Sequence, residues 1–556
     1  MEFAKYIGLK LFLLSIALGG ATAKASEFQV PVIRTSGTLA LTIEDETNFN
    51  GRSSIPELQL GVQQGNPVAE AILGYYMVHG IRVDNDVKQG VGLIRSSAEQ
   101  GFIHGMAALG NLYMTGKYVP QDFGQAMHWL QLAALNNDSD AERDIGVCYE
   151  MGFDGTTNYG VAATWYRKAA EHTNFVAMKD LGVLYMNGTG VPKDYETAKY
   201  WLKLAADRGN YARAMYDLGV LGDKGAFGTN SFFEAVKWYQ RGAGMGDPLA
   251  YWNLALHYRN GVGVSRNLGQ FIYWAGEAAE AGLNLAQMQL GEAYRVGFGV
   301  PKNKAISMAW YRAAATNNFP PAFYFLALGL SEEKNNHEAQ LEACHYLLLA
   351  AKAGNPEAQF QYAMQSFRGN IIPQDVNQGK QWLECSAESG WAKAEFKLSQ
   401  FYFNGTMPFP ENEAAGVKWL RRAAEHNHVE AQWRLAERLY AGTGVDQDHT
   451  EAMKWFMRAA DTGYANAQND LGYAIETDAS KGDLIEACKW YQLAANQGVD
   501  MATINLKAVM TKLSAEQRQE VLRRVKVFHP KPVVVPSPFK EDDHNIAPSL
   551  NIRLPD

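Results

Sequence analysis

The chain has 556 residues, 47% of them apolar and 20% charged, so it is globular and too long for one compact domain. Its 51 basic and 59 acidic residues give a net charge of -8, which argues against a large nucleic-acid-binding surface. The four cysteines are Cys148, Cys344, Cys385 and Cys488. Their scattered positions exclude a disulfide framework and a CxxC zinc site, and we expect them to be mostly unpaired and buried.

The first 25 residues are predicted to be a signal peptide. Lys5 and Lys10 flank a short basic start, a run of about eight apolar residues follows, and Ala21 and Ala23 suit a signal peptidase. The alternative is a membrane anchor, but a membrane-spanning helix needs about 20 apolar residues. We therefore expect cleavage, export to the periplasm or the cell exterior, and a linker over residues 26–52.

A repeat of 36 residues follows a predicted capping helix at residues 53–65. One helical position carries Leu73, Leu109, Ile145, Leu181, Leu218, Leu254, Leu290, Leu326, Tyr362, Leu398, Leu435 and Leu471. Four residues before each of these lies a small residue: Ala69, Gly105, Ala141, Ala177, Ala214, Ala250, Ala286, Ala322, Ala358, Ala394, Ala431 or Ala467. This register predicts twelve repeats over residues 66–498.

The fourth repeat shows how each unit is built. Ala177 and Leu181 lie on one face of a first helix, and Gly182 leaves room for a second helix to come close. Gly188 is predicted to end the first helix, and Asp194 is predicted to cap the second. Such a hairpin cannot bury its apolar face alone, so the repeats must stack into an all-α solenoid.

Some repeats carry additional local signals. In the eleventh repeat, Asp448 and Glu451 are predicted to form a capping box. The fifth repeat has Gly222 in place of the usual tyrosine, and the eighth lacks the loop glycines and has Tyr346 in place of tryptophan. We expect these two repeats to be bent or locally looser.

Ten of the thirteen tryptophans occupy one position of the second helix. They are Trp129, Trp165, Trp201, Trp238, Trp274, Trp310, Trp382, Trp419, Trp455 and Trp490. A ladder of aromatic residues could form a stacking platform. The regular period favours packing at each junction between repeats, since a continuous core needs a large residue there.

The pattern A-x-x-x-L-G-x-x-Y-x-x-G-x-G-V-x-x-D-x-x-x-A-x-x-W-x-x-x-A-A-x-x-G resembles the Sel1-like repeat family. Residues 286–318 and 431–463 match it closely, and the resemblance covers roughly four-fifths of the chain. It implies a right-handed α-solenoid related to tetratricopeptide repeats. It also implies a scaffold role in signalling, envelope assembly or contact between bacterium and host.

The chain after the repeats is predicted to close the solenoid. Residues 499–529 carry two helical patterns, the second of which opens with a capping-box signature from Ser514 to Gln517. Apolar residues lie there within an arginine-rich stretch, as expected of a terminal cap with a polar outer face. Residues 530–556 contain six prolines and a charge run, and they are predicted to form a disordered tail.

Candidate catalytic and metal-binding motifs are weak. Ser331 and Lys334 have the spacing of the β-lactamase nucleophile motif, but its partner motifs KTG and SDN are absent. His426 and His428 lie beside two glutamates and could bind a metal, although they sit at a turn between repeats where such side chains diverge. We expect no catalytic, cofactor or metal site.

A first-helix position two residues after the alanine is the most informative feature. It is large and apolar in seven consecutive repeats, which we call the apolar stripe: Tyr216, Trp252, Met288, Tyr324, Phe360, Phe396 and Trp433. Repeats three and four carry Arg143 and Lys179 there. One interpretation is packing between adjacent first helices. The other is that part of the stripe lines a concave groove and anchors a partner.

These observations predict an exported, non-enzymatic bacterial scaffold. It would bind partner proteins or peptides along the concave face of a superhelix about 120 Å long, since each repeat advances by about one helix-packing distance. The alternative is an envelope enzyme or inhibitor acting on peptidoglycan or β-lactams, which needs a clustered site. A component of endoplasmic-reticulum quality control would need a membrane span or a retention signal. The oligomeric state stays open.

Overall fold

The computed structural model describes residues 53–152, 155–477 and 483–532. Across these ranges it contains 27 α-helices, one 3₁₀ helix and no strand. The helices form twelve consecutive pairs, in the register that the sequence predicts, so the predicted all-α solenoid of helix pairs is confirmed. The predicted signal peptide, the linker over residues 26–52 and most of the predicted tail lie outside the described ranges.

The first helices of the pairs are α2 (Pro67–His79), α4 (Ile103–Thr115), α6 (Ser139–Met151), α8 (Phe175–Asn187), α10 (Ala212–Asp223), α12 (Pro248–Asn260), α14 (Asn284–Val296), α16 (Pro320–Ser331), α18 (Pro356–Arg368), α20 (Ala392–Asn404), α22 (Val429–Ala441) and α24 (Ala465–Thr477). The second helices are α3 (Val87–Glu99), α5 (Phe123–Ala134), α7 (Tyr159–Glu171), α9 (Tyr195–Arg208), α11 (Ser231–Gly244), α13 (Leu268–Glu280), α15 (Lys304–Thr316), α17 (His337–Lys352), α19 (Val376–Glu388), α21 (Glu413–Glu425), α23 (His449–Asp461) and α25 (Leu484–Ala495). Helix α1 (Ile55–Gln63) precedes them, and α26 (Asp500–Met510) and α27 (Ala515–Lys526) follow.

The chain divides into two compact units, and the boundary lies inside α12, between Ala250 and Tyr251. Unit 1 contains α1 and pairs one to five. Unit 2 contains pairs seven to twelve together with α26 and α27. No helix within the described ranges is long and apolar enough to cross a membrane.

Helix ends follow local side-chain chemistry. Asp194 accepts hydrogen bonds from the backbone N–H groups of Glu196 and Thr197, which begins α9 as predicted. Gly188 ends α8 with a φ of 73°, in the left-handed region that glycine enters without steric cost. The capping box predicted at Ser514 and Gln517 is confirmed.

Only one of the two hydrogen bonds of the capping box predicted at Asp448 forms, so the prediction of a complete capping box is wrong. Asp448 does accept from the backbone N–H of Glu451, at 2.8 Å. The Glu451 side chain does not return to the cap. It binds the guanidinium of Arg421 and accepts a hydrogen bond from Trp455 Nε1 at 3.1 Å. A charged partner on the preceding second helix outcompetes a backbone N–H, because hydrogen bonds between ionised groups are the stronger ones.

In most pairs, a glycine or another small residue on the first helix faces a large residue on the second. A side chain at Gly182 would place its Cβ 2.7 Å from Leu202, so the predicted close approach at Gly182 is confirmed. Tyrosines at the Leu202 position face glycines in the same way, and a Cβ at Gly291 would lie 2.6 Å from Tyr311. These tyrosines can donate to carboxylates of their own first helix, as Tyr311 does to Glu292 at 2.7 Å.

Buried clusters of the core extend across neighbouring pairs. The eleven alanines that mark the repeat are fully buried. In unit 2, one cluster joins Leu420 of α21, Leu435 of α22, Phe456 of α23 and Leu471 of α24. No pair supplies enough apolar surface for such a cluster alone, which is why the repeats fold by stacking.

The two repeats that depart from the pattern use local substitutes. In the fifth, a Cβ at Gly222 would lie 2.7 Å from the Cβ of Ala235, so the usual tyrosine cannot occupy this position. In the eighth, Gln340 replaces a glycine cap, and its Nε2 donates to the carbonyls of Ser331 and Glu333 at 3.0 and 3.1 Å. Both repeats keep a well-defined helix pair.

The last described residues turn back over unit 2. The Phe528 ring lies 5.4 Å from that of Trp490 on α25. Lys531, in the segment predicted to be a disordered tail, donates its backbone N–H to the Asp461 carbonyl at 2.8 Å, and its Nζ lies 2.6 Å from Asp461 Oδ2. The beginning of that segment is therefore attached to the end of α23.

Candidate functional site

The apolar stripe is mostly buried. Tyr216, Trp252, Tyr324 and Phe396 each expose 9% or less of their surface. The remaining three, Met288, Phe360 and Trp433, are half-buried and pack against core clusters of unit 2.

Contacts of the stripe run to the next helix pair. Trp433 Nε1 donates to Asp470 Oδ2 on α24 at 2.7 Å. The Tyr324 hydroxyl accepts from Gln361 Nε2 on α18 at 3.1 Å. The Phe396 ring stacks on His428, which precedes α22, with centroids 4.4 Å apart. These contacts favour the packing interpretation for most of the stripe.

In unit 1, Arg143 and Lys179 occupy the stripe position and further polar groups lie near it on the first helices. Together we call them the charged ladder: Asn111, Arg143, Asp144, Lys179, Asp180 and Asp217. Arg143 Nε lies 3.2 Å from Asp180 Oδ2 on the next first helix, and its Nη1 lies 3.3 Å from Asp144. Asn111 donates to Asp144 at 2.8 Å, and Lys179 lies 2.6 Å from Asp180. The ladder therefore links consecutive first helices as the stripe does.

The ladder's carboxylates differ in their environments. Burial favours the neutral acid, but Lys179 and Arg143 outweigh it and hold the pKa of Asp180 below its usual value. Burial raises the pKa of Asp217 to about 7, because Lys179 and Arg213 compensate it only in part. Asp217 exposes 8% of its surface, and its Oδ2 makes no hydrogen bond. Nearby, burial raises the pKa of Asp140 to about 6.

The tryptophans of the second helices pack at the junctions between repeats, as predicted. Trp238, Trp310 and Trp490 are buried, and the other seven are half-buried. Several carry a cation three residues later over the ring, such as Arg422 at 4.6 Å from the Trp419 centroid and Arg241 at 4.4 Å from that of Trp238. The row therefore joins the core to a charged outer surface.

A recurring cluster on the first helices was missed by the sequence analysis. Glu142 is fully buried and lies 3.0 Å from Lys168 and 2.8 Å from His172, both at the end of the same pair's second helix. In the tenth pair, Glu395 meets Arg422 and His426 in the same way, at 3.0 and 2.7 Å. The sequence did contain a signal for this cluster. A glutamate directly follows the repeat alanine, and a cation and a histidine lie four residues apart at the end of the second helix.

The weak chemical motifs have structural roles. His426 binds Glu395, and His428 caps α22 by accepting from the Ala431 N–H at 3.2 Å. Ser331 donates to the Leu328 carbonyl within its own helix, at 2.7 Å. Within the described ranges there is no group of three or more side chains suited to hold a metal ion. All four cysteines are free, and all but Cys385 are buried, as predicted.

A cleft of about 530 Å³ opens at the eighth pair, between α15 and α17. Met308 and Leu330 line it with Lys304, Arg312 and Glu342. In other pairs, the loop between the helices lies against the preceding second helix, as Gly299 does against Leu268 and Ile272. The eighth loop is shorter and reaches the start of α15 through Glu332, whose carboxylate lies 3.0 Å from Lys304 Nζ, and the cleft opens beside this contact.

Comparison with known families identifies one repeat model throughout the helical pairs. The Sel1 repeat matches twelve consecutive segments, which are residues 67–102, 103–138, 139–174, 176–210, 212–247, 248–283, 284–319, 322–355, 356–391, 392–428, 429–464 and 465–499. Each segment begins within two residues of the first helix of its pair and ends within four residues of its second helix.

Solved structures show the same repeat. The crystal structure of c5321, a protective antigen present in uropathogenic Escherichia coli strains that displays an SLR fold, is 25% identical with a TM-score of 0.62. The similarity covers 88% of this chain and 100% of that one. A Sel1 repeat protein from Oxalobacter formigenes is also 25% identical, over 76% of this chain and 92% of its own, with a TM-score of 0.32. That score is too low to show a common overall arrangement.

Proposed function

Because this chain belongs to the Sel1 repeat family, we propose that it is a non-enzymatic scaffold that binds partner proteins or peptides along the face of its first helices. A repeat solenoid offers an extended surface to which each unit adds a few side chains, and this suits a polypeptide better than a small molecule. The observation that carries the proposal is the first-helix position itself. It holds a large apolar or charged side chain in every pair from the third to the eleventh.

The half-buried members of the apolar stripe are the proposed partner contacts. Met288, Phe360 and Trp433 keep part of their surface open while their inner atoms pack on the core. Anchors of this kind lose little conformational entropy on binding, because the fold already restrains their rotamers. The buried members of the stripe would act by holding neighbouring first helices in register.

Affinity capture tests this assignment. The bait is the mature chain, and capture from envelope extracts and host-cell lysates is quantified by mass spectrometry. We expect the variant Met288→Ala/Phe360→Ala to lose at least about tenfold of specific capture, since interface anchors often contribute more than 1 kcal/mol each. Tyr324→Phe keeps its buried ring and serves as the matched control. Equal capture by all three proteins, with unchanged circular dichroism, would exclude this face.

The absence of catalysis is part of the same proposal and has its own measurement. Purified mature protein is incubated with a β-lactam and with muropeptides, and products are followed by mass spectrometry. We expect no turnover above a buffer blank. Turnover that survives repurification and rises with protein concentration would replace the scaffold by an envelope enzyme.

Export is proposed from the N-terminal segment, which lies outside the described ranges. Its basic start, apolar run and small residues have the organisation of a signal peptide. The similar c5321 structure is that of a protective antigen, which is consistent with a role in the envelope or in host contact. Cell fractionation and N-terminal sequencing should find the protein outside the cytoplasm and beginning near Lys24. An intact N-terminus in the cytoplasm would refute export.

A further inference from the structure

Helix α26 has the register of a first helix but no second helix of its own. Ala502 and Leu506 repeat the spacing of Ala467 and Leu471, and Ala502 is fully buried. Asn505 Nδ2 donates to Asn469 Oδ1 on α24 at 3.2 Å, which is the contact that links first helices elsewhere in the molecule. The helix therefore has the position of the first helix of a thirteenth pair, which residues 511–532 do not complete.

One face of α26 is apolar and uncovered. Met501 and Ile504 expose 57% and 58% of their surface, and Ala508 on the same face is also exposed. Ile504 occupies the position of the apolar stripe, where the next first helix covers the side chain in the interior of the solenoid. An isoleucine there indicates a surface made for helix packing.

The final helix does not cover this face. Helix α27 packs on α25, where Arg524 Nη1 lies 2.7 Å from Glu486 Oε2. Its Val521 joins a cluster with Ala487 of α25 and Val509 on the opposite side of α26. Among the residues that the structure describes, none therefore covers the exposed face of α26.

A further second helix of the usual kind cannot pack there. In the twelfth pair the corresponding first-helix position is Gly472, where a Cβ would lie 2.9 Å from Tyr491. In α26 this position is Lys507, whose side chain excludes so close an approach. A thirteenth pair of the usual kind therefore cannot form around α26.

The face is complementary to itself. Asp500 and Lys507 are exposed on one flank of the helix, seven residues and about two turns apart, with Ile504 between them. When two copies pack antiparallel about a two-fold axis near Ile504, Asp500 of each faces Lys507 of the other. Met501 of each then meets the small Ala508 of the other. The two-fold axis repeats each of these contacts, so the interface contains two pairs of opposite charge and two pairs of a large with a small side chain, as an isologous interface requires.

We propose that this face binds a second copy of the chain, forming a two-fold dimer through antiparallel α26 helices. The buried area would lie between that of a crystal contact and that of a standard protein interface. We therefore expect a weak dimer, with a dissociation constant on the order of 10 µM. The proposal does not rest on the partner-binding function, because it concerns the outer face of α26 rather than the stripe residues of the twelve pairs and is tested with the protein alone.

Sedimentation velocity over about 1–100 µM should show the average mass rising from one chain towards two. Ile504→Glu should hold the chain monomeric throughout. Leu60→Glu, at an exposed leucine of α1, is the matched control and should dimerise like the wild type. Circular dichroism identifies any variant that fails to fold.

Charge reversal provides the decisive test. Asp500→Lys and Lys507→Asp should each be monomeric, because each places like charges opposite one another. An equimolar mixture of the two should dimerise, since both cross-chain pairs are then opposite in sign. A wild type that stays monomeric at 100 µM, or a mixture that behaves like its separate components, would overturn the proposal.

Discussion

Units 1 and 2 solve the same packing problem with different chemistry. In unit 1, the first helices are linked by the charged ladder, in which Arg143 bridges to Asp180 of the next pair. In unit 2, the side chain at the equivalent position is apolar or aromatic, as at Trp433, whose ring nitrogen donates to Asp470 of the next pair. The position is dictated by the repeat geometry, whereas the side chain is free to vary as long as it finds a partner on the next helix.

The difference has consequences for stability. A buried ion pair must offset the cost of removing both charges from water, so losing one partner leaves the other uncompensated. A buried aromatic residue lost from the stripe leaves a cavity but no charge. Variants of the charged ladder should therefore respond to pH and to single charge deletions, and variants of the apolar stripe should respond mainly to loss of volume.

The largest effect is expected for Arg143→Ala. It leaves the carboxylates of Asp144 and Asp180 without their shared cation, at a cost of about 4 kcal/mol. Hydrogen exchange resolved by mass spectrometry should show loss of protection in α6 and α8. Arg143→Lys keeps a cation and should be milder. Equal protection in the alanine variant and the wild type would mean that the ladder contributes little.

Phe396→Ala should follow, at about 3 kcal/mol, because it removes a buried ring that stacks on His428. The loss of protection should centre on α20 and α22 and should not depend on pH between 5 and 8, apart from the titration of His428 itself. Phe396→Leu keeps most of the volume and is the control. A strong pH dependence shared with the Arg143 variant would remove the distinction between the units.

Asp217→Asn should stabilise unit 1 at neutral pH by about 2 kcal/mol. The pKa of Asp217 in the folded protein is about 7, above its ordinary value, so folding favours the protonated side chain. The stability of the wild type that depends on this protonated form is complete at low pH and is lost as the pH rises through 7. The variant and the wild type should therefore differ more at pH 8 than at pH 4. The two proteins are compared by urea unfolding, with hydrogen exchange in α10 as the probe of unit 1. A larger difference at pH 4 would contradict this assignment.

The smallest effect is expected for Tyr324→Phe. It removes the hydroxyl that accepts from Gln361 but keeps the ring, so the change should be about 1 kcal/mol or less. Urea unfolding of unit 2 at pH 7 is a sufficient measurement. A loss comparable with that of Phe396→Ala would show that polar contacts dominate the stripe as well.

Local patterns in the sequence were sufficient to predict the repeat and the ends of its helices. Ala177 and Leu181 mark a helical face, Gly188 needs a positive φ, and Asp194 caps the next helix through its own side chain. Each of these features depends on residues that are close in the chain. The same holds for the capping box at Ser514.

Contacts between repeats were decided by tertiary structure. The partner of Glu451 is Arg421, thirty residues earlier, and the partner of Trp433 is Asp470, thirty-seven residues later. A helical wheel places Trp433 away from its own pair but does not show how the next first helix covers it. Burial and pKa depend on this packing, because neighbours distant in sequence determine how much water reaches each side chain.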